Sequence, residues 1–199
     1  MANREAQTRE RILLSALVLF ADRGIAATSL NEVGQRAGVT RVTVYRHFVD
    51  KEDLVRAAFL RTEQVFQKGL TELRRNPHAD WEKVLSDIGE GLSALPSRDA
   101  FARAEELRRL YPRSYAAVQE VRVATLNGMF EQLFVRGKRK GLLRRGTNRK
   151  LFQAVFSELT INIFDNPRFR SLGLTDAELY HGITDILLHG ILYGILKSE

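Results

Sequence analysis

The chain has 199 residues, 44% of them hydrophobic and 28% charged, with no cysteine. That much apolar material buries a core and excludes a largely disordered chain, and the length suits one domain or two small ones. Without cysteine there are no disulfides, thiolate zinc sites or thiol nucleophiles. Lys and Arg number 31 against 24 Asp and Glu, a net charge of +7, which points toward a polyanionic partner.

The N-terminal stretch MANREAQTRERILL has no apolar stretch or small-residue cleavage site of the kind a secretory signal carries. The most apolar run, Ile186–Leu196, is too short for the roughly 20 residues of a membrane span. The expectation is a cytoplasmic protein. The charge is uneven: residues 1–60 carry +2, residues 61–102 carry −1, residues 103–150 carry +9 and residues 151–199 carry −3. The excess is densest in Arg136–Lys150, RGKRKGLLRRGTNRK. That run lacks the spacing and the preceding strand of a phosphate loop, and it reads as a solvated helix end and loop.

Apolar residues recur with a helical period and almost nowhere alternate as a strand would require. The spacing predicts a first helix from about Glu5 to Asp22, with Ile12, Leu13, Ala16, Leu17 and Phe20 on one face and Gly24 ending it. Two short helices follow at 30–37 and 41–47. Longer ones are expected at 51–75, 81–95, 99–111, 114–140, 148–165 and 176–196. The four prolines, Pro77, Pro96, Pro112 and Pro167, fall at breaks between these segments. The fold class is all-α with about nine helices: an N-terminal three-helix head containing a helix-turn-helix (residues 1–50), and a helical C-terminal domain (51–199).

Three helix starts are packed into Thr28–Leu54. Ser29 followed by Glu32 is a capping box, and Leu30, Val33, Gly34 and Ala37 form the inward face of the helix it opens. Gly38 ends that helix. Thr40 is the next N-cap, with Val39 and Val44 in staple positions. Asp50 is the third start, with Val49 and Leu54 as its staple. Two short helices joined by a turn containing glycine form a helix-turn-helix. With Val44 and Phe48 pointing inward, Arg41, Val42, Thr43, Tyr45, Arg46 and His47 face out. Arginine can fork onto guanine, a threonine methyl can touch thymine and hydroxyls can hold phosphates, so this face suits the major groove. The first residues of a recognition helix meet base edges, which favours Arg41 and Thr43 as readers. Lys51 opens the following helix, where free amides and an ammonium together suit a phosphate.

From about Arg11 to Val55 the sequence resembles the TetR (tetracycline-repressor-like) transcriptional regulators. The resemblance is carried by Gly24, Thr28, Leu30, Val33, Ala37-Gly38-Val39, Tyr45-Arg46-His47-Phe48, Lys51-Glu52 and Leu54. Gly34 departs from it, standing where the family more often has alanine. The resemblance implies phosphate contacts for Thr28, Tyr45, His47 and Lys51, and base or mixed contacts for Thr40, Arg41 and Thr43. It further implies a homodimer built from the last two helices and a small-molecule effector cavity in the C-terminal domain.

Aromatic or soft residues on the middle helices are the cavity candidates: Trp81, Phe101, Leu107, Tyr111, Tyr115, Met129, Phe130 and Phe134. Arg103, Arg108 and Arg109 nearby would suit an anionic effector. The dimer face is expected on residues 152–164 and 179–196, through Phe152, Phe156, Leu159, Ile163, Ile183, Leu187, Gly190, Ile191 and Gly194. The last helix opens with another capping box, Thr175 and Glu178, and a staple, Leu174 and Leu179. Gly182, Gly190 and Gly194 cost ~1 kcal/mol each in a helix interior unless another helix approaches closely. His78, His181 and His189 show no metal-binding spacing, so no catalysis, metal or cofactor is expected.

The function these readings support is a ligand-responsive regulator, a repressor that binds a palindromic double-stranded DNA operator as a homodimer and is released by a small-molecule effector. The alternatives are an activator of the same family, or an all-α small-molecule-binding protein whose helix-turn-helix is only structural.

Overall fold

A computed structural model describes residues 2–96, 100–141, 143, 146–161 and 166–191. Phe101 and Ile191 are described by their backbone only, and Gly190 lies in a helix. Ile163 and Gly194, both expected in the dimer face, lie outside the described residues. Among the described residues there are ten helices and no β-strand: α1 (Ala2–Arg23), α2 (Leu30–Ala37), α3 (Arg41–His47), α4 (Lys51–Arg75), α5 (Trp81–Ser93), α6 (Ala100–Leu110), α7 (Pro112–Arg139), α8 (Arg149–Ile161), α9 (Pro167–Arg170) and α10 (Asp176–Ile191). The single-turn α9 is an addition to the expected set. α7 starts on Pro112 itself, at the first helical position, where the missing N–H is not needed. No described helix is long and apolar enough to cross a membrane.

The chain divides into two compact units, Met1–Gln64 with Leu95–Val121, and Val65–Ala94 with Arg122–Glu199. α4 and α7 each contribute residues to both. In the first unit α1 packs on α2 and α6, and α2 packs on α3. The predicted face of α1, Ile12, Leu13, Ala16, Leu17 and Phe20, is buried there. It meets Leu30, Val33 and Ala37 of α2, Val44 and Phe48 at α3, Leu54, Val55 and Ala58 of α4, and Leu107 and Val118. Each large side chain removed from water in this way contributes about 1.5–3 kcal/mol.

In the second unit α10 packs on α5 and α8. Phe130 lies at the centre of an aromatic cluster, with ring centroids 5.2 Å from Phe152, 5.5 Å from Phe156 and 5.9 Å from Phe134. Such offset and tilted pairs add about 0.5–1.5 kcal/mol beyond area burial. Part of the basic run is bound into this unit. The buried Arg136 donates to the Asn76 carbonyl at 3.0 Å, and Arg139 donates to the Pro77 carbonyl at 3.4 Å. Burial, and then the neighbouring Arg139 charge, hold the Arg136 guanidinium below its usual range. Arg149 pairs with Glu131 and lies 5.4 Å from the Phe134 ring centroid. These three arginines fasten the α4–α5 turn and the start of α8 within the unit.

Candidate nucleic-acid interface and internal cavity

The local chemistry of α2 and α3 builds the interface. Ser29 and Glu32 form the capping box: the Glu32 amide donates to Ser29 Oγ at 3.3 Å, and the Ser29 amide donates to Glu32 Oε2 at 2.8 Å. The Ser29 amide, and after it the Ser29 hydroxyl, hold the Glu32 carboxyl below the usual carboxylate range, with Arg23 at 2.7 Å helping. Gly38 has φ +65°, the left-handed conformation that glycine adopts without strain, and its amide donates to the Gln35 carbonyl at 3.1 Å. Arg11 of α1 donates to the Ala37 carbonyl and secures the same corner. A methyl group on Gly34 would come 3.1 Å from the Val39 carbonyl oxygen and 3.2 Å from Val44 Cγ2. The α2–α3 corner is therefore tight where the family more often has alanine.

Thr40 caps α3. Its Oγ1 accepts from the Thr43 amide at 3.2 Å and lies 3.0 Å from the Thr43 hydroxyl. Val44 is buried beneath, and the opposite face is open to solvent. Val42 is 70% exposed and Tyr45 43% exposed, with Arg41 and Arg46 exposed beside them. Arg41 Nη2 donates to the Tyr45 hydroxyl at 3.2 Å, and its guanidinium carbon lies 5.3 Å from the ring centroid. His47 is half-buried, 6.4 Å centroid to centroid from Phe48. Thr40, Arg41, Thr43, Tyr45 and His47 thus come together on α3 and its cap.

Two expected contacts are placed differently. Thr28 is 2% exposed, and its hydroxyl donates to the Gly24 carbonyl at 2.7 Å. It closes the α1–α2 turn and presents no hydroxyl to the surface. Lys51 does stand at the start of α4, but its Nζ donates to the Ala26 carbonyl at 3.0 Å. Burial lowers its ammonium pKa, against the opposing pull of Glu106 and Glu32. The expected staple at Asp50 does not close, because Val49 is 81% exposed. Asp50 caps α4 instead through its own carboxylate, which accepts the Asp53 amide at 2.8 Å, while Asp53 accepts the Val49 amide at 3.2 Å.

A further link reaches the same turn from α6. Glu106 accepts the Ile25 amide at 2.9 Å and the Ala26 amide at 2.7 Å. Arg103 pairs with Glu106 at 2.8 Å and donates to the Phe20 carbonyl at 3.2 Å. Sequence reasoning missed this carboxylate, because nothing local marks a glutamate whose partners are about 80 residues away.

The second unit holds a closed apolar cavity of about 50 Å³, lined by Phe66, Trp81, Leu85, Leu126, Met129, Leu133, Phe156, Leu159, Thr160, Tyr180, Ile183, Thr184 and Leu187. Of the expected cavity residues, Trp81 and Met129 line it. Phe130 and Phe134 stand in the adjoining aromatic cluster. Leu107, Tyr111 and Tyr115 are corrected: they belong to the first unit and pack against its core, because α6 buries its face on α1. Burial, with the Glu52, Asp50 and Glu106 carboxylates, raises the Tyr111 phenol. The side chain of Phe101 lies outside the described residues. Arg103 pairs with Glu106 and Arg108 with Glu105, both in the first unit, so neither meets this cavity.

The residues expected to form the dimer face also point inward. Phe152, Phe156, Ile183 and Leu187 are buried within the chain, and half-buried Leu159 lines the cavity. The exposed apolar residues of the same helices are Leu151 and Val155 on α8 and Ile186, 66% exposed, on α10. A methyl group on Gly182 would meet nothing within 4 Å. The Thr175–Glu178 capping box is present, while Leu174 is exposed and its staple with Leu179 stays open. Among the described residues no cluster of His, Asp and Glu could hold a metal ion.

Residues 12–58 match the family model described as bacterial regulatory proteins, tetR family. Over 51 residues the chain is 55% identical to the HTH-type transcriptional regulator AcrR of Shigella flexneri, a match covering 25% of this chain and 24% of AcrR. Over 49 residues it is 49% identical to the HTH-type transcriptional repressor BepR of Brucella suis, covering 25% and 23%. The chain thus spans about a quarter of the length of these curated relatives, which are regulators and not enzymes. Its fold is that of the transcriptional regulator FadR from Bacillus subtilis, solved in complex with stearoyl-CoA, with a TM-score of 0.62, 17% identity, and 92% of this chain and 98% of that one covered. By its matched head and its all-α architecture, the chain belongs to the tetR family of bacterial regulatory proteins.

Proposed function

We propose that the protein is a homodimeric repressor that reads a palindromic DNA operator with two α3 helices and releases it when a small molecule enters the second unit. The observation that carries this reading is the outward face of α3, where Arg41, Val42, Tyr45 and Arg46 stand exposed on a helix capped by Thr40 and seated on buried Val44. On this reading Arg41 and Thr43 meet base edges, with Thr40 beside them. Tyr45, His47 and Lys51 hold phosphates, Lys51 after exchanging the Ala26 carbonyl for one. Thr28 acts indirectly, by fixing the turn before α2. The exposed Val42 adds an apolar contact suited to a thymine methyl.

The dimer is supported by the leftover apolar surface of α8 and α10. Leu151 and Val155 lie one turn apart, as do Gly182 and Ile186, on faces open to solvent among the described residues. A glycine with open space above it in a helix interior costs about 1 kcal/mol for no gain within one chain. A second copy seated there offsets that cost. Effector release is supported by the cavity, whose volume is far below the ~300–1,000 Å³ of a typical ligand site. A ligand must therefore part its helices, and it shifts DNA affinity by the difference in its affinity for the open and closed forms. The stearoyl-CoA complex of the Bacillus subtilis neighbour supports a ligand in this fold.

Selection of bound duplexes from a random pool tests the reading. The expected product is a two-fold symmetric site with half-sites about one DNA turn or more apart, bound by two chains. Recovery of no sequence above background would reject it.

A further inference from the structure

Two buried donors on the cavity wall have nothing to bind. Trp81 Nε1 and the Tyr180 hydroxyl are both shielded from solvent and neither has a hydrogen-bond partner. Indole N–H can only donate. Burial pushes the Tyr180 phenol far above its usual range, and the opposing pull of the Thr184 hydroxyl does not offset it, so the phenol keeps its proton and remains a donor. The wall's two threonines have already used their hydrogens: Thr160 donates to the Phe156 carbonyl and Thr184 to the Tyr180 carbonyl, each at 2.6 Å. The remaining described lining is aliphatic, aromatic or thioether, with no charged side chain.

Leaving a buried donor unsatisfied is costly, so a native cavity with two of them is built for something that accepts. A charge buried there would meet no countercharge. We infer that the effector of this cavity is an uncharged, predominantly apolar molecule carrying one carbonyl-type or ether-type acceptor oxygen, addressed by the Trp81 indole N–H and the Tyr180 hydroxyl. Carboxylates and phosphates are excluded by the same wall. The inference rests on the reading of this cavity as the effector site and adds to it the chemical class of ligand. A single trapped water is the rival occupant, since a cavity of about 50 Å³ has room for one.

Isothermal titration of the full chain with three probes decides it: acetophenone, α-methylstyrene (the same shape with CH₂ in place of the oxygen) and benzoate. Each is measured on the native protein and on the Trp81→Phe and Tyr180→Phe variants, which keep the apolar volume. Each substitution is expected to weaken acetophenone roughly five-fold while leaving α-methylstyrene within about two-fold, as loss of one hydrogen bond predicts. Benzoate is expected not to bind. If both neutral probes bind and respond alike to the substitutions, water satisfies the donors and this inference fails, while the cavity stands as an effector site. Benzoate binding as tightly as acetophenone also overturns it. If no probe binds, the reading of the cavity as an effector site fails with it.

Discussion

On α3 the Arg41 guanidinium packs over the Tyr45 ring, 5.3 Å from its centroid, and donates to the phenol oxygen at 3.2 Å. An exposed pair of this kind holds by only about 0.5–1 kcal/mol, so DNA can exchange it without a large penalty. When Arg41 turns to a base edge, the Tyr45 hydroxyl is released to a phosphate. Tyr45→Phe keeps the ring under Arg41 and removes only the hydroxyl. Binding to the selected operator and to unrelated duplex should both fall roughly five-fold, with base preference unchanged. Fluorescence anisotropy with matched and scrambled duplexes checks this.

The Glu32 carboxyl is held below its ordinary range by the Ser29 amide and then by the Ser29 hydroxyl, so it carries a stability term that depends on pH. For a lowered carboxylate, this stability is present above the ordinary range near 4.5 and is lost as pH falls through the lower, folded value. Urea midpoints measured from pH 7 to pH 3 should therefore decline more steeply for the native chain than for Glu32→Gln, whose amide does not titrate. Parallel declines would show that the capping box is not protonated in this range.

Glu106 binds the Ile25 and Ala26 amides from α6, in the turn that also receives Lys51. Its side chain is only 14% exposed, so these bonds are charge-assisted and well shielded. Glu106→Ala should destabilise the chain by roughly 1.5–3 kcal/mol and accelerate hydrogen exchange at the Ile25 and Ala26 amides. Glu106→Gln, which retains one acceptor oxygen, should lose less. Denaturant titration with exchange measurements separates the two variants.

Ile186 is 66% exposed, so Ile186→Arg removes almost no packing within one chain. The dimer proposal predicts monomers by light scattering, an unchanged melting temperature at concentrations where the native protein is also monomeric, and loss of operator binding. A dimer surviving this change would move the interface away from this face of α10.

The start of each short helix could be read from sequence because a cap acts within four residues. Ser29 with Glu32, Thr40 with Thr43, and Thr175 with Glu178 all bond as their spacing predicts. The outward face of α3 followed from the same local geometry. The partners of an apolar helix face were not legible. Helical period says that Ile183, Leu187 and Phe156 are buried, but it does not say against what; they line an internal cavity, leaving Leu151, Val155 and Ile186 outside. Leu107, Tyr111 and Tyr115 failed as cavity residues for the same reason, since which helix α6 meets is decided by residues more than 80 positions apart in the chain. The staple at Val49 failed because Asp50 and Asp53 complete the cap without it. The central positive charge was equally illegible: Arg136 and Arg139 are taken up by backbone carbonyls of the α4–α5 turn.

The central claim, that α3 reads base edges while Lys51 holds the backbone, is tested most directly by titrating the selected operator with Arg41→Ala and Lys51→Ala proteins over a range of salt. Arg41→Ala should lose about 1–3 kcal/mol on the preferred sequence and bind all bases alike at one position of each half-site. Lys51→Ala should weaken binding to every duplex and lower the salt slope by about one for each phosphate that Lys51 neutralises. Unchanged affinity, sequence preference and salt slope in both variants would contradict the account.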